Sequence, residues 1–91
     1  MSTWFSFAGS NDRALAQGEF VENAADLKKV LIALRVRGIN VTSIRNHTLG
    51  EQPKLVFVRF WRQGTAIELA KALRYVLDVD VGAISAPGRQ L

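Results

Sequence analysis

The sequence predicts an α+β domain: a two-layer sandwich of β-β-α-β-β-α order, with a four-stranded, mainly antiparallel sheet and both helices on one face. Two segments have apolar residues at the spacing of a helix. Each is preceded by segments that are rich in β-branched or aromatic residues or in which apolar and polar residues alternate, as in strands. The chain has 91 residues, 48% of them apolar, which suffices for a single core. We expect one domain over residues 1–91, ordered from about 3 to 84 and followed by a loose tail over 85–91.

The first two strands are predicted to form a hairpin. Residues 4–7 are rich in β-formers, and the Gly-Ser-Asn-Asp run at residues 9–12 is a turn signal. Residues 14–21 then read as the second strand. Gly18 interrupts it, which marks either a bulge or a point where another backbone approaches closely.

The first helix is predicted over residues 24–37. Its apolar residues recur at i, i+3, i+4 and i+7 and form one stripe, made of Leu27, Val30, Leu31 and Leu34. Asn23 is predicted as the N-cap. Gly38 lies where a left-handed C-terminal residue belongs.

The second half repeats the β-β-α order. Strands are predicted over residues 39–48 and 54–62, joined by a turn at 49–53 that ends in proline. Thr65 and Glu68 have the spacing of a capping box, which predicts that a second helix begins there. Its apolar stripe comprises Ala66, Leu69, Ala70, Leu73, Val76 and Leu77. Residues 78–84 are predicted to add a short strand.

Composition excludes several classes of protein. No apolar run approaches the ~18–20 residues of a membrane helix, and no signal peptide is recognisable, so we expect a cytoplasmic protein with no membrane partner. The chain has no cysteine, which excludes disulfides, thiol nucleophiles and cysteine metal sites. The net charge of +4 is uneven, because residues 27–62 carry eight Lys or Arg against one Glu. Such a basic segment suits a phosphate or an acidic partner, or is a solvated surface.

Four segments resemble the LppY/LpqO family, bacterial domains of unassigned function. They are residues 18–21, 38–42, 46–53 and 57–61, and the similarity extends over nearly the whole chain, from residue 4 to about 78. The last two segments are the most specific, because they combine a short polar motif, a proline turn and an aromatic strand at fixed spacing.

The resemblance also implies a change at the family's histidine positions. Asn46 and His47 match the family motif, but Arg45 and Arg59 stand where family members have histidine. Glu19 occupies a position that is usually Asp. The family's three histidines would suit a metal such as zinc. Arginine stays protonated and is not a normal ligand, so we expect no metal and no cofactor here.

Strand alternation predicts an aromatic and basic sheet face opposite the helices. If the third and fourth strands pair so that their odd-numbered residues lie on the same face, that face carries Arg45, His47, Leu55, Phe57, Arg59 and Trp61. Arg45, His47 and Arg59 are predicted to form an anion site with Glu19 as the neighbouring acid. The alternative is that the two arginines form structural ion pairs with Glu19 or Glu51.

The residues favour a non-enzymatic binding or scaffold module that self-associates. Leu55, Phe57 and Trp61 would form a large exposed apolar patch, and a homodimer would cover it. Longer family members contain two copies of the module, which also implies pairing. No residue is predicted to be catalytic, and Glu19 with His47 is the only acid–base pair that merits a test. The alternatives are single-stranded nucleic-acid binding through the aromatic-basic face and a degenerate metal-dependent enzyme domain.

Overall fold

The structure is a computed structural model that describes residues 3–47 and 55–84, without the side chain of His47. Its elements follow the predicted order: β1 (Thr3–Gly9), β2 (Ala14–Asn23), α1 (Leu27–Val36), β3 (Asn40–His47), β4 (Leu55–Gly64) and α2 (Ala66–Asp80). The strands form one sheet in the order β1-β2-β4-β3, and each neighbouring pair is antiparallel. The predicted α+β fold class is therefore confirmed.

The core lies between the sheet and the two helices. The even-numbered positions of the central strands β2 and β4 face the helices, as alternation requires. The buried apolar residues are Ala14, Ala16, Phe20, Val30, Ala33, Leu34, Ile39, Val56, Val58, Phe60, Leu69, Ala72, Leu73, Val76 and Val79. One carboxylic acid lies among them, since Glu22 in β2 is fully buried.

Three local predictions are confirmed. Gly38 has a left-handed φ of 68°, which ends α1. Thr65 and Glu68 form a complete capping box at the start of α2. Gly18 is a close-approach point, because a Cβ at this position would overlap the carbonyl oxygen of Trp4 in β1.

Two predictions are wrong. Asn23 is not the N-cap, because α1 begins at Leu27 after Asp26; the Asn23 side-chain oxygen instead accepts a hydrogen bond from the Asp26 amide at 3.1 Å. Residues 78–84 form no strand, because α2 continues to Asp80 and a turn follows it. The helix is favoured there since Val79 lies three residues after Val76 and extends the buried stripe.

Some predictions fall elsewhere in the chain. The turn at 49–53 and the tail at 85–91 lie outside the described residues. Neither described helix has both the length and the apolar content that a membrane crossing requires.

Candidate functional site

The candidate site lies on the open face of the sheet, which is the face turned away from the helices. Residues that are paired directly across antiparallel strands share a face. The register pairs Glu19 in β2 with Arg59 in β4, and Arg45 in β3 with Phe57 in β4. Three strands thus bring two basic side chains and one acid together.

Glu19 is the centre of this cluster. Its carboxylate oxygen Oε2 accepts a hydrogen bond from Arg45 Nη2 at 3.1 Å and lies 3.5 Å from Arg59 Nε. The Glu19 side chain is only 10% exposed, whereas those of Arg45 and Arg59 are 59% and 55% exposed. The arginines therefore cover the acid, and one negative charge holds two positive charges at the surface.

The aromatic residues predicted for this face are covered to different degrees. The Arg45 guanidinium lies over the Phe57 ring, 5.3 Å from its centroid, which is cation–π geometry. Leu55 and Phe57 are half-buried, whereas Trp61 is exposed. The backbone of His47 pairs with Leu55 at the end of β3, but the His47 side chain lies outside the described residues.

A shallow depression of about 450 Å³ lies beside the arginine pair on the open face. Its lining includes the side chains of two tryptophans and several polar residues: Trp4, Gln17, Thr42, Arg59, Trp61 and Gln63. Its volume is within the range of small-molecule sites. Sequence reasoning missed Trp4, because assigning it to this site requires the pairing of β1 with β2. The available signal was the alternation of side chains within residues 4–7, because it places Trp4 on the opposite face of the strand from Phe5 and Phe7.

The chemistry of the site is that of charge recognition. Arginine side chains remain cationic and donate hydrogen bonds in a planar fork, which suits carboxylates and phosphates. The Glu19 carboxylate contacts both arginines. The acid–base pair of Glu19 and His47 considered from the sequence involves a side chain outside the described residues. Among the side chains that the structure describes, which exclude that of His47, no group of three His, Cys, Asp or Glu could hold a metal ion.

Comparison with known proteins shows to which family the chain belongs. No curated protein and no solved structure matches the chain. The family model described as Domain of Unknown Function (DUF1259) matches residues 1–79, which is most of the chain and includes every strand of the sheet. The chain therefore belongs to the DUF1259 family of domains of unknown function.

Proposed function

We propose that this domain is a non-enzymatic, self-associating binding module whose open sheet face holds the anionic group of a ligand. The observation that carries the proposal is the Glu19 cluster. A carboxylate at the protein surface normally prefers water, but Glu19 is nearly covered and pairs with two arginines. It fixes the guanidinium groups of Arg45 and Arg59 side by side, and the cluster keeps a net positive charge.

The exposure of the arginines supports an external anion. The contacts with Glu19 Oε2 are made by Nη2 of Arg45 and Nε of Arg59. The guanidinium group has five N–H donors, so several remain for a carboxylate or phosphate outside the sheet. The two arginines and Glu19 together carry a net charge of +1, which a bound anion would neutralise.

The neighbouring depression defines the rest of the ligand. Trp4 and Trp61 are 49% and 38% exposed, and both line it. Aromatic side chains offer flat apolar surfaces, and the amides of Gln17 and Gln63 offer donors and acceptors. A small ligand with a carboxylate or phosphate attached to a flat apolar ring fits this combination.

The anion site is tested by thermal unfolding in sulfate or phosphate and in chloride at equal ionic strength. An anion that binds only the folded state raises the melting temperature. Sulfate also stabilises proteins by exclusion from their surface, so variants are needed. We expect Arg59→Gln to lose the extra shift. The matched control is Arg74→Gln, which removes an exposed arginine paired with Asp78 on α2 and should retain the shift. Equal sulfate responses in the wild type and Arg59→Gln would contradict the site.

Self-association is the second part of the proposal. Sequence reasoning placed the interface at Leu55, Phe57 and Trp61, and the exposed Trp61 ring keeps that surface a candidate. Light scattering over a range of micromolar concentrations is the test. Particles of only ~10 kDa throughout would contradict the proposal, since 10.1 kDa is the mass of one chain.

The exposed tryptophans beside arginines also favour a second candidate, single-stranded nucleic acid. Bases stack on aromatic rings, and arginines contact phosphates, so Trp4, Trp61 and Arg59 could serve both functions. Tryptophan fluorescence with a short oligonucleotide at increasing salt is the test. Affinity that falls steeply with salt supports nucleic acid, whereas no quenching at low salt excludes it.

We also propose a closer kinship with LppY/LpqO proteins within the family. The residues that support it are Asn46 and His47 in the polar motif, with Arg45 and Arg59 at histidine positions. Loss of these histidines would convert a metal site into an anion site, which agrees with a binding module better than with a metal-dependent enzyme.

A further inference from the structure

The two edges of the sheet differ in how well they are protected from other strands. Edge strands expose unpaired N–H and C=O groups, and proteins protect them with charges, prolines or bulges. The outer strand β3 has such features, because its register shifts between Val41 and Ser43 and it carries Arg45. Strand β1, Thr3–Gly9, has no charged residue, no proline and no register shift.

Strand β1 also exposes large apolar side chains. Phe5 and Phe7 pair with Gly18 and Ala16, which places both rings on the helix side of the sheet. Yet they are 38% and 43% exposed, and within residues 3–47 and 55–84 the helices pack chiefly on the other three strands. The two rings contact each other edge to face, with centroids 6.0 Å apart. An aromatic pair thus extends beyond the helix layer at the unprotected edge.

We propose that two copies of the chain associate through β1, antiparallel and around a two-fold axis at Ser6, so that their sheets join into one of eight strands. The proposal rests on the self-association proposed above, but it places the interface at β1 and not at Leu55, Phe57 and Trp61. Directly opposed residues of an antiparallel pair share a face, so a symmetric pairing opposes residues of equal parity. Only the register centred on Ser6 pairs all seven residues of Thr3–Gly9 with their counterparts.

This register is self-complementary in its side chains. Phe5 of each copy lies opposite Phe7 of the other copy, so four phenylalanine rings meet on the helix side of the sheet. On the open side, Trp4 lies opposite Ala8 of the second copy, and the small Ser6 side chains meet at the axis. A large residue faces a small one, which permits close pairing of the backbones.

Charge favours a second copy at this edge. Each chain carries a net +4, so two copies repel each other wherever their basic surfaces meet. The segment Thr3–Gly9 contains no charged residue, so pairing along it adds no repulsion between like charges within the strand pair. Seven residues a side is well below the ~20–30 of a standard interface, so we expect a weak dimer that forms at micromolar concentrations.

A cysteine placed at the axis tests the register. The chain has no cysteine, so Ser6→Cys introduces a single thiol. Opposed Cα atoms in an antiparallel pair lie about 4.5–5.5 Å apart, which is within disulfide range. The matched control is Ser10→Cys, an exposed serine in the following turn. Two residues at position 10 would lie roughly 27 Å apart in the dimer, at about 3.4 Å per residue. We expect mild oxidation to cross-link Ser6→Cys at least tenfold faster than Ser10→Cys; equal rates would overturn the register.

Charged variants at the same residue separate this inference from the proposed function. Ser6→Lys and Ser6→Glu each place two like charges at the axis, so each alone should be monomeric by light scattering. An equimolar mixture should recover a dimer, a result that misfolding cannot produce. If both variants and their mixture stay dimeric while Trp61→Asp is monomeric, the β1 interface is wrong and self-association stands. If the wild type is monomeric at every concentration, both are wrong.

Discussion

The buried acid Glu22 provides the most quantitative prediction, which concerns the substitution Glu22→Gln. Glu22 is fully buried in β2, and neither of its carboxyl oxygens has a hydrogen-bond partner of normal geometry in the described structure. The pKa of Glu22 is raised from 4.5 to about 8, chiefly by burial. The nearby Asp80 carboxyl and the charge of Asp26 contribute to this rise in the pKa, whereas the charge of Lys29 lowers it. The folded protein therefore holds this proton more tightly than the unfolded chain does.

The pKa difference sets the size and the sign of the effect. Each pKa unit corresponds to about 1.4 kcal/mol, so a shift of roughly 3.5 units corresponds to at most about 5 kcal/mol. The stabilisation is complete below pH 4.5 and is lost as the pH rises through 8, at up to about 1.4 kcal/mol per pH unit. The glutamine of the Glu22→Gln variant would mimic the neutral acid at every pH. The variant should thus equal the wild type within about 1 kcal/mol near pH 5 and exceed it by several kcal/mol at pH 9.

The assay is urea unfolding between pH 5 and 9, followed by the fluorescence of Trp4 and Trp61. His47 is the only histidine in the chain, and histidines titrate in this range, so both proteins are also measured with His47→Gln. The free energy of unfolding should fall with pH in the wild type and stay nearly level in Glu22→Gln. Parallel curves for the two proteins would refute the argument that Glu22 is protonated in the folded state.

Three further predictions concern the helix cap, the close approach of two strands and the metal content. Thr65→Ala removes the side-chain acceptor for the Glu68 amide and should lower the free energy of unfolding by about 1 kcal/mol, measured by urea unfolding; no loss would contradict the cap. Gly18→Ala should lower the free energy of unfolding by up to about 3 kcal/mol, because the new methyl group meets the backbone of β1; an unchanged melting temperature would contradict that contact. The purified protein should hold no stoichiometric zinc, because arginine stays protonated and is not a normal ligand, and the described side chains form no group of three His, Cys, Asp or Glu that could hold a metal; about one zinc per chain by elemental analysis would contradict this.

Local patterns were sufficient to predict the elements of the fold. Alternation and helical stripes depend on neighbours in sequence, and they indicated all four strands and both helices. The errors occurred where two local signals compete. Asn23 and Asp26 are both good capping residues, and the sequence alone does not show which one precedes the first helical turn. Val79, Val81 and Ile84 favour a strand, but the packing of Val79 in the core extends the helix.

The site could be predicted only as far as consecutive strands determine it. Alternation within the β3–β4 hairpin is enough to predict that Arg45, Arg59 and Trp61 lie on one face. Ion pairs of both arginines with Glu19 were one of the alternatives that the sequence left open, and the structure shows them. The sequence could not choose Glu19 over Glu51, because that contact depends on β2 lying next to β4, although β2 and β4 are separated in sequence by α1 and β3. Such a crossover is set by the packing of both halves, and no short motif encodes it. The burial of Glu22 had a local signal, since it shares the parity of Ala14, Ala16 and Phe20.

The strand order has a consequence for how the domain can be divided. Each ββα half contributes one edge strand and one central strand, and β2 and β4 join the halves along ten residue pairs. A chain cut near Gly38 would leave two fragments, each with a hairpin whose inner edge lacks a partner. Neither fragment has a complete core, because α2 packs on a strand from each half. The two pieces together retain the whole β2–β4 seam, so the domain is suited to reassembly from separate polypeptides as a split reporter.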